Sequence, residues 1–299
     1  MLTILLFALG LCALIFTTVW IAEVVRDRKA SMPSLRDCLI GLFTLFLDTL
    51  GIGAFATTTA FFKLWHLVSD EDIPGTLNIG ITLPAVVEGF IYMSIVDVDI
   101  KTLTLMIAAA TVGAWFGAGI VSRWPRQKIQ VGMGITLLVT AGFLLMSQLH
   151  LLPEGGNLLA LEGWKLVVAL LANLLLGALM TLGIGFFAPC MMVIFLLGMS
   201  PRAAFPIMMG SVAFLGTVGS IRFVQSHRYR WKSAIGMTVG GIPGVLLAAY
   251  LVRSLPLFWL RWMVFFVMIY TAMMMLRSSL NEKRKAANQP STTPLEAKI

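Results

Sequence analysis

Charge is scarce in this chain. Asp, Glu, Lys and Arg together make 12% of its 299 residues, where a soluble domain carries about a quarter. Hydrophobic residues make 59% and mean hydropathy is +0.91, so a soluble globular fold is excluded. Cysteine is nearly as rare. Cys12, Cys38 and Cys190 are odd in number and lack metal-ligand spacing, which supports neither a disulfide framework nor a zinc site. The three histidines, His66, His150 and His227, fall in loops or at the ends of apolar runs, where they form no buried metal site. Neither His-Glu-x-x-His nor Gly-x-Ser-x-Gly occurs. An aspartyl intramembrane hydrolase needs two carboxyls facing each other, and Asp48 has only Glu88 as a conceivable partner. The chain therefore reads as a non-enzyme with no cofactor. The first apolar run, 2–22, also lacks a basic start and a small-residue cleavage site, so it reads as a retained helix.

What the chain has is apolar length. A bilayer core of about 30 Å needs about 20 apolar residues per helix. Runs of that size lie at 2–22, 74–96, 102–121, 128–149, 203–224, 233–252 and 257–279. Two further apolar stretches, 38–62 and 165–199, are interrupted by glycine. The fold class expected is an all-α polytopic membrane protein. Net charge is +8, but Lys and Arg sit in short connectors and the tail, a pattern of orientation signals with no face for nucleic acid.

The interruptions are a repeat. Leu50-Gly51-Ile52-Gly53 returns as Leu182-Gly183-Ile184-Gly185 at an offset of 132 positions (50 to 182). Glycine inside a helix costs about 1 kcal/mol relative to alanine, so each helix breaks or bends there. One reading is a packing kink where helices cross closely. The other is a re-entrant hairpin, because irregular backbone at membrane depth must line protein or a water-filled cavity. Topology separates the two. If each broken segment leaves on the side it entered, the basic connectors 26–36, 123–128, 227–232 and 281–285 all fall inside. The acidic connector 150–163, which lacks Lys and Arg, then falls outside. The plan is two inverted repeats, each a hairpin plus three spans. Boundaries are an N-terminal helix and basic flank (1–30), a first repeat (36–149), an external linker (150–163), a second repeat (164–280) and a disordered cytoplasmic tail (281–299). Gly113 and Gly117 match Gly240 and Gly244 as a small-xxx-small spacing in the two halves.

Asp-Thr-Leu-Gly-Ile-Gly (48–53), followed by Ile-Pro-Gly-Thr-Leu-Asn (73–78), resembles a branch of the sulfite exporter TauE/SafE family, also described as toluene-sulfonate uptake permeases. The likeness covers about 36–279. Most members continue the motif with further glycines and a proline. This chain has Ala54-Phe55-Ala56-Thr57 and Phe186-Phe187-Ala188-Pro189 instead. The resemblance implies a permease of the cytoplasmic (inner) membrane for sulfite, sulfonates and related organosulfur anions. With the basic connectors inside, the N-terminus lies outside and the C-terminus in the cytoplasm. The partners expected are a small anionic solute and membrane lipid, with a homo-oligomer left open. A non-transporting membrane scaffold is the competing class.

A half-helix that starts in mid-membrane offers unpaired N–H groups and the positive end of its dipole to an anion. The site expected lies at Gly51, Gly53, Gly183 and Gly185, with the hydroxyls of Thr57, Thr58 and Thr59 as further donors and Cys190 at the matching rim. The threonines can equally bond carbonyls one turn back, and Cys190 reads better as packing than as a reactive thiol. Asn78 and Ser211 line the site from flanking spans or bond between helices. Asp48 and Glu88 carry a coupling proton or serve the structure, as a helix cap in the case of Asp48. Arg222 snorkels to the headgroups, and Lys63, Trp65, His66, Trp124 and Trp231 are expected as interfacial anchors.

Overall fold

The computed structural model describes residues 2–26, 32–95, 98–151, 156–183, 185–251 and 257–287. Expectations that fall on Arg28 and Lys29, on Asp97, on Pro153 to Gly155, on Ile184, on 252–256 and on 288–299 lie outside these. The described residues form eleven helices: α1 (Leu2–Arg26), α2 (Leu35–Thr49), α3 (Phe55–Leu64), α4 (Ile73–Ile95), α5 (Ile100–Val121), α6 (Arg126–Gln148), α7 (Gly163–Met180), α8 (Phe187–Leu196), α9 (Pro201–Gln225), α10 (Trp231–Leu251) and α11 (Leu257–Ala287). Seven of them, α1, α4, α5, α6, α7, α9 and α10, are long and apolar enough to cross a membrane. Ile4, Phe7, Phe116, Val167, Leu171 and Leu175 lie exposed on outward faces, a display a soluble monomer does not make. α11 runs on to Ala287, so the residues expected to begin a disordered tail at 281 are helical as far as that point.

The glycines break the helices as expected. α2 stops at Thr49, and Gly51 (φ +79°) donates its N–H to the Asp48 carbonyl while Ile52 donates to the Leu47 carbonyl. This is the left-handed glycine cap that ends many helices. Gly53 (φ +92°) turns the chain again before α3, and Gly183 (φ +109°) closes α7 in the same way. A Cβ on Gly53 meets nothing within 4 Å. Gly53→Ala should therefore cost only backbone strain, about 1–2 kcal/mol, read as a lowered thermal midpoint of the purified protein. The three histidines occupy equivalent places. His66, His150 and His227 (φ 51°, 54° and 54°) end α3, α6 and α9 as left-handed caps.

Helix direction follows from the close contacts. α4 and α9 run antiparallel, since Gly75 meets Phe223, Thr82 bonds Ser220 and Gly89 meets Ala213. α6 and α11 are antiparallel too, with Gln127 at Ser279 and Gly134 at Leu276. α2 runs parallel to α10 (Cys38 at Gly240, Leu42 at Gly244), and α7 parallel to α5 (Leu174 at Gly113, Ala178 at Gly117). α4 lies parallel to α10, with Gly80 at Met237 and Pro84 at Gly241. The starts of α2, α4, α6 and α10 consequently gather at one end of the bundle, and the starts of α5, α7 and α9 at the other.

These directions bear on the broken segments. α2 begins at the first end, where Asp37 touches Gly236. After α3 the chain is back at that end, because Asp70 meets Arg126 and Gln130 at the start of α6 and Glu71 meets Arg228. α7 begins at the second end, and after α8 the chain returns there: Lys165 bonds the Leu197 carbonyl, and Ser200 donates to Leu158. With 15 residues, α2 is about 22 Å long, enough to carry its turn into the interior of the bundle.

Candidate functional site

The two turns meet inside the protein. The Phe55 ring, two residues past Gly53, stands 3.9 Å from where a side chain on Gly183 would begin. Met133 of α6 lies 3.5 Å from the same point, and Thr140 flanks Gly185 at 3.2 Å. Beside this contact runs a narrow cleft between α4 and α9, too tight in this structure to admit a water molecule and lined by Phe55, Asn78, Thr82, Met180, Val212 and Gly216. Each hairpin thus supplies one wall, and the central antiparallel pair supplies the rest.

α3 and α8, the two half-helices, begin here with 10 residues each. Inside α3 the first backbone bond is from Thr58 to the Ala54 carbonyl, and inside α8 from Cys190 to the Phe186 carbonyl. The N–H groups of Phe55 and Ala56, and of Phe187 and Ala188, lie in the opening turns, where helix geometry leaves donors unpaired. Pro189 has no N–H to leave over. The two starts differ in one respect. Asp48 accepts the Ala54 N–H at 2.6 Å, so one donor of the first half-helix is already capped by a carboxylate. The expectation of bare amides at the first turn is corrected to this extent, Asp48 making the helix-capping contact.

The expected hydroxyl donors also separate. Thr57 bonds the Ala54 carbonyl at 3.0 Å and Thr59 the Phe55 carbonyl at 2.6 Å, both within their own helix. Thr58 is fully buried and its hydroxyl has no partner. Ser211 on α9 is likewise buried and unpartnered. Asn78 donates to the Pro74 carbonyl (2.8 Å) and to the Thr181 carbonyl (3.2 Å), tying α4 to the last residue before the second turn. Cys190 points elsewhere, its thiol on the Asn173 amide oxygen at 3.4 Å, while Asn173 donates to the Met106 carbonyl. Packing is the role its surroundings give it.

Glu88 lies beside the first turn, fully buried, hydrogen-bonded to the Thr49 hydroxyl, with its second oxygen unpartnered. Tyr92, one turn on, donates to the Thr49 carbonyl at 3.2 Å. Thr49 and Tyr92 were not among the residues expected. Tyr92 follows Glu88 at helical i, i+4 spacing, a signal visible in the sequence, whereas Thr49 is recognisable only once α2 lies against α4.

The two ends of the bundle are tied differently. At the first end Asp70 is 3% exposed and collects Lys63, Gln130 (2.7 Å) and Arg126 (3.4 Å). Burial alone would raise its carboxyl, but the bonds from Lys63 and Gln130 and the charges of Lys63 and Arg126 outweigh it and hold the group below the usual carboxylate range. Arg228 reaches Glu71, Asp72 and the Trp124 carbonyl. Lys63 is therefore an ion-pair residue and not the interfacial anchor expected. Trp231 is another departure, since it packs edge-on against Trp20 with its indole N–H buried. Arg222 does not snorkel freely, because its guanidinium lies 3.7 Å over the Trp115 ring. At the second end backbone bonds do the joining. Gly156 donates to the Met199 carbonyl, Leu158 to Gly198 and Asp99 to Leu159. Asp99, capping α5, is held low by the Thr102 N–H and hydroxyl, each at 2.8 Å.

Among known proteins, residues 166–297 match the family model of the sulfite exporter TauE/SafE, which takes in the second broken segment and the helices after it. No curated protein and no solved structure matches the chain.

Proposed function

We infer that this membrane protein, whose second half carries the sulfite exporter TauE/SafE family domain, is a secondary transporter of small organosulfur anions such as sulfite or sulfonates. The observation that carries the reading is the meeting of the two glycine turns: Phe55 of one hairpin abuts Gly183 of the other at the buried cleft. Two half-helix starts aimed into a protein interior favour negative charge without Lys or Arg. Substrate then sits between the turns, within reach of the free α3 and α8 amides and the Thr58 hydroxyl, with Asn78 holding the second turn in place.

The packing pattern supports an alternating-access cycle. α2 on α10 and α7 on α5 are the same contact made once by each half, and the corresponding helices α4 and α9 run in opposite directions. The units that move are then these packed pairs, α2 with α10 and α7 with α5, each drawn from both repeats, rocking about the α4/α9 pair to open the cleft to one end and then the other. The first end carries Arg36, Lys63, Arg123, Arg126, Lys128, Arg228, Arg230 and Lys232, which supports a cytoplasmic placement with the N-terminus outside.

The test is flux of labelled sulfite and of several sulfonates into vesicles holding the purified protein, with and without a pH gradient. Substrate-dependent, saturable flux is expected. Thr58→Val should weaken apparent affinity about tenfold, the worth of one hydrogen bond to a charged group. Vesicles with folded protein and no flux for any of these anions would favour a scaffold, and unchanged affinity in Thr58→Val would remove that hydroxyl from the site.

A further inference from the structure

The first turn holds a negative charge of its own. Asp48 is 4% exposed and its carboxylate sits on the Ala54 N–H, a donor at the very start of α3. An anion arriving at this half-helix meets a fixed carboxylate there, and like charges at that depth repel strongly. Glu88 adds a second carboxyl, bonded to the hydroxyl of Thr49, the residue next to Asp48.

The hydrogen bonds around Glu88 are informative about protons. The Thr49 hydroxyl carries one proton, and two oxygens lie within its reach: the Leu45 carbonyl at 2.9 Å and Glu88. A carbonyl can only accept, so both contacts are satisfied when Thr49 donates to Leu45 and a protonated Glu88 donates to Thr49.

Among the described residues, no cation faces the pair from the helices around it. On α3, Lys63 lies in the last turn and is taken by Asp70. On α10, Lys232 stands in the first turn and Tyr250 is exposed near the end. On α6, Arg126 and Lys128 are in the first turn, and on α11 Tyr270 and Arg277 face outward. α9 brings Arg222, held over Trp115, and α1 brings Glu23, paired with Arg26 and His227. Of the described titratable groups, Tyr92 of α4 comes near. Two buried carboxyls on either side of Thr49, with no counter-charge among the described residues, share at least one proton.

We propose that Asp48 and Glu88 form a proton site built into the first hairpin turn, and that binding of the anion at this turn takes up a proton on Asp48, making the transporter a proton–anion symporter. The proposal rests on the anion site inferred above. With Asp48 ionised, its carboxylate occupies the Ala54 N–H and opposes a second negative charge. A proton from water on the Asp48 carboxylate removes that charge and weakens the cap, which leaves the Ala54 N–H and the unpartnered Thr58 hydroxyl to the substrate. One proton and one monoanion then move together as a neutral pair. Linkage is reciprocal: whatever the proton adds to anion affinity, the anion adds to proton affinity.

The test measures binding of methanesulfonate to the purified full-length protein from mildly acidic to mildly alkaline pH, a range over which this probe keeps its charge. Wild-type affinity is expected to fall by up to about tenfold per pH unit as pH rises, with one proton taken up per anion from weakly buffered solution. Asp48→Asn keeps an oxygen to cap Ala54 and should bind with low-pH affinity at every pH, with no proton uptake. Glu88→Gln keeps an uncharged donor toward Thr49, so the pH dependence should persist with its midpoint little changed. A pH-flat affinity in the wild type, or a slope retained in Asp48→Asn, overturns the proposal and leaves the anion site standing. Failure of folded wild-type protein to bind methanesulfonate or sulfite at any pH removes the anion site itself and the proposal with it.

Discussion

Gly240→Val is expected to prevent stable folding, with the purified protein aggregating or its thermal midpoint collapsing in detergent. A Cβ at Gly240 would lie 1.8 Å from the Cys38 carbonyl oxygen, and one at Gly244 would lie 2.3 Å from that of Leu42. The obstacle is helix backbone, which cannot swing aside as the end of a side chain can. Ordinary overpacking costs about 1–3 kcal/mol; here α2 and α10 would have to part along their length, so the loss should exceed that range. Gly113→Val should do the same to the α5/α7 contact, where the Leu174 carbonyl stands 1.9 Å from the added atom. Gly142→Ala is the control, since nothing lies within 4 Å of its Cβ. A well-folded Gly240→Val protein would mean that small residues are not what lets these helices approach.

The same glycines mark how far the sequence can be read. Gly113/Gly117 and Gly240/Gly244 are legible as close-approach motifs, because only a missing side chain makes that spacing useful. Their partners are not, since nothing in the local pattern names Leu174 or Cys38. The Leu-Gly-Ile-Gly pair was legible for a related reason. Glycines one residue apart oppose helix wherever they fall, and the positive φ values at Gly51, Gly53 and Gly183 are the conformational reason for them. Less could be read of the polar groups. The partner of Asp48 is visible only once Ala54 comes back against it through the turn, and three consecutive threonines look alike until helix geometry points Thr57 and Thr59 at their own carbonyls and leaves Thr58 over. His66 reads as an anchor but serves as a left-handed cap, a place sequence rules assign first to glycine.

Asp70 carries the second large prediction. By position it belongs to a helix start, three residues before α4, where acidic residues suit the dipole. The chain instead folds the 65–72 connector under the bundle, so that Asp70 meets Lys63 seven residues back and Arg126 and Gln130 far ahead. The Lys63 side chain is 12% exposed, which leaves it little water if its partner goes. Breaking a buried pair by removing one member costs about 3–5 kcal/mol, and Asp70→Ala should lose stability on that scale, measured by chemical or thermal denaturation in detergent. Lys63→Met with Asp70→Leu, which removes both charges, should recover a large part of it. Acid supplies an independent check. The carboxyl is held below its ordinary value in the fold, so its contribution is complete above the unfolded value, about pH 4, and is lost as pH falls through the lower folded value. Wild-type stability should therefore decline more steeply than that of the double variant below about pH 4. Equal acid sensitivity in the two proteins would show that Asp70 does not hold the first hairpin to α6.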